Sequence, residues 1–237
     1  MIILIEINNE INLILLLYFL KSNLDWLFYI LYLFIMNSKK LLEKIESAKN
    51  EFVNTLPKEE LNKEKAKIII KRQVAAFEWN FIIWLSSILI TAKSNKAKQE
   101  TKENLAEELK DNHAGLLRSF AKSWDSLPDK KDFEFLEKEI WEIRELISEM
   151  SGLKNLVLMT ILEDTASDCM LYLNKAAKII GATDTRYADM HYTLDLKHSQ
   201  DFKDSLVEEI KYYDNNEELI NSSIEKAIKL LKKIWTI

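Results

Sequence analysis

From residue 36 onward, apolar positions recur with a period close to 3.6 residues, and this pattern predicts helix almost throughout. It predicts helices near 38–55, 59–93, 97–126, 131–149, 153–180, 184–212 and 215–236. Pro57 and Pro128 fall in two of the gaps, where a residue without an N–H cannot continue the hydrogen-bond ladder. Gly152 and Gly181 fall in two more, where a left-handed end cap is expected. "SNKAKQ" and "DNNEE" read as polar connectors. The chain has no fixed-period repeat, no low-complexity segment and no convincing strand pattern. The expectation is a single all-α domain over residues 36–237, a bundle of seven helices.

Residues 1–35 break the pattern. "INLILLLYFL" and "WLFYILYLFIM" are strongly apolar, but Lys21 and Asp25 interrupt them, and neither run reaches the roughly 18–20 residues of a spanning helix. They lack the basic start and small-residue cleavage site of a secretory signal. Met36 then opens "MNSKKLLEKIESAKNEF", an ordinary helix start with Asn37 and Ser38 as caps. Residues 1–35 are therefore read as an apolar extension, expected to be frame upstream of Met36. The alternative is a membrane-associating segment, and a membrane partner is expected only if these residues are part of the native protein.

Composition narrows the class. Of 237 residues 48% are apolar, enough for a sizeable core, while three glycines and two prolines leave little material for hairpins or glycine-rich loops. The net charge of −5 is spread along the chain with no basic stripe, so nucleic acid is not an expected partner. The single cysteine, Cys169, cannot form an internal disulfide, which fits a reducing, cytoplasmic location. An acidic helical bundle with six tryptophans is a candidate homodimer.

The candidate chemistry sits with the histidines, of which there are only three. Two lie in "HYTLDLKH": His191 to Asp195 is i to i+4 and Asp195 to His198 is i to i+3, so all three share one helical face. Two imidazoles and a carboxylate on one face suit a borderline transition metal such as iron or manganese. Tyr187, Ala188, Leu194 and Leu196 are placed to bury the edges of such a site. His113 follows Glu107 and Glu108 by six and five positions, and on a regular helix neither carboxylate shares a face with it. Glu163 interrupts the apolar run "LKNLVLMTILEDTASDCMLYL", where a carboxylate must be paired, protonated or bound to a cation. Glu78 in "VAAFEWNFIIWL" raises the same question.

The order Glu…His…Glu…His-x3-Asp-x2-His, with "ENLAEELKDNHAGLLRSF" and the closing "HYTLDLKH", resembles the haem-oxygenase-like diiron oxidases over about residues 40–236. The resemblance implies a haem-oxygenase-like bundle. It also implies a catalytic metal site of Glu107, His113, Glu163, His191, Asp195 and His198, with two iron ions or a Mn/Fe pair as cofactor. Dioxygen would be co-substrate, and the substrate a small organic molecule: an amine, an amino acid, a fatty acid or an aminobenzoate precursor. The family's usual early Glu-to-His spacing is one residue longer than Glu107 to His113, which leaves Glu108 as an alternative ligand. Glu78 matches the extra carboxylate that N-oxygenase members carry. Phe77, Trp84, Leu85 and Met170 supply material for an apolar lining. The branch that makes para-aminobenzoate sacrifices an early tyrosine of its own chain. Here no tyrosine lies between Tyr32 and Tyr172, and Phe52 stands at the matching place, so that chemistry would need Tyr172, Tyr187 or Tyr192 instead.

Two other classes compete. A thiaminase-like hydrolase of the same fold would use Cys169 as nucleophile, but that residue sits mid-helix in an apolar stretch. A non-enzymatic interaction protein with a relic metal site would dock a partner on the amphipathic helix 131–149, whose apolar face is more simply core. Haem oxygenase activity proper needs one proximal histidine and room for a macrocycle, and three histidines with three acidic partners exceed that need.

Overall fold

The structure, a computed structural model, describes residues 26–27, 38–57, 62–213 and 217–236, without the side chains of residues 176, 178–180 and 193. The chain divides into two compact units, Met1–Leu41 and Leu42–Ile237. In the first, residues 26–27 and 38–41 are described and helical; the rest of the expected apolar extension, with its boundary at Met36, lies outside the described residues.

The second unit opens with α1 (residues 42–53). It continues through α2 (Lys63–Phe77), α3 (Asn80–Thr91), α4 (Asn95–Lys110), α5 (His113–Ser123) and α6 (Lys130–Ser148). It closes with α7 (Gly152–Ile180), α8 (Arg186–Glu209), a single 3₁₀ turn (Ile210–Tyr212) and α9 (Glu217–Trp235). No strand occurs among the described residues, as the periodicity predicts. Helix α7 is the axis: every residue from 152 to 165 is buried, and α8, α9 and α3 pack along it. The apolar face of α6 is turned inward as core, with Leu136, Ile140, Ile143 and Leu146 buried.

Two predicted helices are each broken into two. The run expected over 59–93 breaks at Glu78–Trp79, and the run over 97–126 breaks at Asp111–Asn112. Neither break contains proline or glycine. At the second, Asn112 adopts the left-handed conformation (φ 51°, ψ 51°), which asparagine tolerates better than most residues, and its Oδ1 accepts the N–H of Gly115 at 3.3 Å to cap α5. Taken as one run, Lys63–Thr91 is long and apolar enough to cross a membrane by length and composition; half of its most apolar window is buried inside the protein, as in a core helix.

Glycine plays a different part at its two expected caps. Gly181 has φ 72° after α7, as an end cap should. Gly152 instead begins α7, and the left-handed residue ahead of it is Met150 (φ 54°). A Cβ on Gly152 would lie 2.6 Å from the Cα of Ala92 and 2.7 Å from the carbonyl oxygen of Thr91, so the missing side chain lets α7 start against the end of α3. Beside it the fully buried Glu209 accepts the N–H of Lys93 at 2.9 Å and of Ser94 at 2.7 Å, while Tyr213 donates its hydroxyl to Glu209 and accepts the N–H of Leu153. One carboxylate thereby ties the end of α3, the start of α4 and the end of α8, which holds the inner faces of those helices in register.

Candidate metal centre

Helix α8 buries His191, Asp195 and His198 together, 8%, 1% and 3% exposed, as their spacing predicts. Glu163 meets them from α7, at 3% exposure. Helices α4 and α5 supply the remaining donors across the Asp111–Asn112 turn. Because that turn folds the chain back, His113 Nδ1 lies 2.7 Å from Glu108 Oε1, a contact a continuous helix would forbid. The result is two triads, Glu108–His113–His191 and Glu163–Asp195–His198, each with one ligand atom per residue within 4.8 Å of the others. They adjoin: His191 Nδ1 is 2.9 Å from Asp195 Oδ1, and the His113 and His191 rings stand 4.8 Å apart.

Two expected site residues fall outside both triads. Glu107 is 36% exposed in its side chain and reaches the outer nitrogen of His198, with Oε2 2.9 Å from Nε2. One step along α4 is a rotation of about 100°, and this turns Glu108 into the interior and Glu107 to the rim. Glu78 is the C-cap of α2, and its carboxylate is held by Arg118 of α5, whose Nη1 donates to both oxygens at 3.1 Å.

Sequence reading missed a supporting residue. Asn104 of α4 donates from Nδ2 to Glu163 Oε1 at 3.1 Å. The signal for it was present: Ala97, Thr101, Asn104 and Glu108 follow helical spacing and are all buried, a partly polar stripe on the inner face of α4. Tyr187 also closes on the site, its ring 4.3 Å from that of His191. Ala188 is buried as expected, whereas Leu196 is 58% exposed.

The electrostatics are those of a site short of positive charge. Burial, reinforced by Asp195 and Glu108, pushes the Glu163 carboxyl well above its ordinary range. Burial and Glu108 push Asp195 up in the same way. Burial pushes His191 down to about 4. His113 is raised, because its hydrogen bond to Glu108 and the charge of that group outweigh the opposing effect of burial. Four inward atoms have no hydrogen-bond partner among the described residues: His113 Nε2, His191 Nε2, His198 Nδ1 and Asp195 Oδ2. Buried polar atoms are almost always paired, so four orphans in adjacent triads fit metal cations that take them as ligands.

The site opens into a pocket with about 670 Å³ of empty space, part of it open to solvent. Glu108, His113, Glu163, His191 and Asp195 line it, and Phe77, Phe81, Ile82, Leu162, Met170 and Leu231 form much of the rest. Of the expected apolar lining, Phe77 and Met170 are in this wall, whereas Trp84 and Leu85 are fully buried core. Cys169 is also in the wall, 2% exposed, and burial with Asp168 and Asp195 nearby pushes its thiol well above the usual range. That environment suppresses the thiolate a nucleophile requires.

No curated protein matches the sequence. A family model does: residues 71–232, which include every histidine and carboxylate of the two triads, match the family described as "Iron-containing redox enzyme". With well over half of the chain inside that match, and with an all-α bundle of the expected class around it, this protein belongs to the haem-oxygenase-like family of iron-containing redox enzymes.

Proposed function

We propose that this iron-containing redox enzyme is a dimetal oxidase that uses dioxygen to oxidise a small organic substrate. One observation carries the reading: two adjacent buried triads of nitrogen and oxygen donors whose inward atoms lack partners among the described residues. In this reading Glu108, His113 and His191 hold one metal, and Glu163, Asp195 and His198 hold the other. The ions are two irons, or manganese and iron, since the donor types suit either. When bound, they supply the redox chemistry that couples dioxygen reduction to substrate oxidation.

The chain's own residues have separable tasks. Glu107 fixes the His198 ring from its outer nitrogen and turns Nδ1 toward Glu163, 3.9 Å away. Asn104 holds one Glu163 oxygen and leaves the other toward the site. Tyr187 packs against the His191 ring, and the apolar pocket wall lines the approach to the ligand face. We infer a cytoplasmic enzyme acting on small molecules.

The test is anaerobic loading of the full chain with Fe(II), metal analysis, then exposure to oxygen. About two irons per chain and a transient oxygen-dependent absorption band are expected. His191→Ala and His198→Ala should each lose metal without unfolding the bundle; full iron occupancy in both would show the ligand assignment to be wrong. Metal-free protein that turned over a pyrimidine in a Cys169-dependent manner would move the assignment to a thiaminase-like hydrolase.

A further inference from the structure

Among the described residues, Glu78 is the one acidic residue of the pocket wall that belongs to neither triad. It is 7% exposed and stands beside Phe77 and Phe81, with Gln73 bringing an amide to the same α2 wall. Its counter-ion comes from outside: the Arg118 side chain is 55% exposed and is not part of the pocket lining. A carboxylate offers about four lone-pair sites, and one guanidinium nitrogen at 3.1 Å from each oxygen leaves acceptor capacity unused. Thr165 of α7, a polar side chain in the same wall, commits its hydroxyl proton to the Ile161 carbonyl at 2.9 Å. A carboxylate buried among aromatic rings carries a desolvation cost that a half-exposed partner offsets only in part.

We propose that Glu78 is a specificity-determining residue that binds the nitrogen of an amine substrate whose apolar body fills the pocket toward the metal triads. A protonated amine brings positive charge and up to three donors to the free acceptor sites, and charge-assisted hydrogen bonds of this kind are about twice as strong as neutral ones. An alcohol brings one neutral donor, and a carboxylate meets like charge in a poorly solvated wall. Arg118 sets the level of this preference, because it offsets the Glu78 charge without entering the pocket. The inference rests on the reading of this pocket as the substrate site of a dimetal oxidase, but binding is tested without metal.

The experiment measures binding of hexylamine, 1-hexanol and hexanoate to the metal-free full chain by calorimetry, with iron loading measured separately on the same preparations. Wild type should bind hexylamine about tenfold or more tighter than hexanoate. Glu78→Gln should abolish that preference while leaving the iron count unchanged. Arg118→Ala, at an exposed position that folding tolerates, should widen the preference. Equal or tighter binding of hexanoate by wild type overturns the proposal, as does a preference that survives Glu78→Gln. Loss of iron in Glu78→Gln also overturns it, by making Glu78 a metal ligand. An intact amine preference in a wild-type protein that binds no iron supports this proposal while sinking the dimetal reading.

Discussion

His198 is addressed by a carboxylate at each ring nitrogen, and only the one on its buried side belongs to a triad. The outer partner, Glu107, fixes the ring without occupying the centre. Glu107→Gln and Asn104→Ala are therefore expected to weaken metal binding by about 10–100-fold while leaving the stoichiometry at saturation unchanged, as outer partners of metal ligands typically do. On the proposed assignment Glu108→Ala should instead remove a ligand and lower the saturating stoichiometry; metal titration separates the two behaviours. The α8 residues were legible because i, i+3 and i+4 spacing is a property of the helix itself. Glu163 was legible because a carboxylate in an apolar run demands an explanation. Which of Glu107 and Glu108 turns inward was not, since it depends on how α4 is rotated against its neighbours. Nor was the partner of Glu78, because Arg118 lies 40 residues away on another helix.

At the level of elements, the turn at Asp111–Asn112 and the start of α7 hold the geometry. Asn112→Ala removes the capping oxygen and the short polar side chain that makes the left-handed conformation tolerable, and should cost about 1–3 kcal/mol in denaturant unfolding. Asn112→Gly should recover most of that, since glycine accepts the conformation freely. Gly152→Ala drives a methyl into the backbone of Thr91 and Ala92 and should cost about 1–3 kcal/mol, with the change in midpoint read at constant slope. The helices were legible in the sequence as a period, but their breaks were not. No proline or glycine marks Glu78–Trp79 or Asp111–Asn112, and tertiary packing decides where such runs stop.

Over the whole molecule, the raised carboxyls and lowered imidazole make metal-free stability depend on pH. Glu163 and Asp195 have folded values above their ordinary ones, so the folded state keeps protons that the unfolded chain has released. Their contribution is intact below about pH 4 and is lost as pH rises through the raised values. His191, pushed down to about 4, works the other way: the unfolded chain takes a proton first, and stability is lost as pH falls from about 6.5 toward 4. His113, raised in the fold, works in the same sense as the carboxyls: its contribution is present below about pH 6.5 and is lost as pH rises through its raised value, so where these groups titrate the metal-free melting temperature should fall with rising pH. The iron-loaded protein should not show that slope, because cations replace the protons. A loaded protein that loses stability with pH just as the metal-free one does would show that these carboxyls are not at the metal. The all-α class was legible at this scale from composition and period. The pocket was not, because seven helices contribute its wall and no local pattern encodes their meeting.

The interruption at Asp111–Asn112 has a consequence for recognising such centres in other chains. Where acid and imidazole share one helix, as in α8, their separation is quantised by the helical repeat and a single inserted residue scrambles the pair. Where they flank a turn, as Glu108 and His113 do, the separation is set by the turn and not by the helical repeat. A search template that fixes the later spacing and lets the earlier one vary would capture relatives that a rigid motif discards. The two pairs thus answer to different rules, one to a turn and the other to the helical repeat.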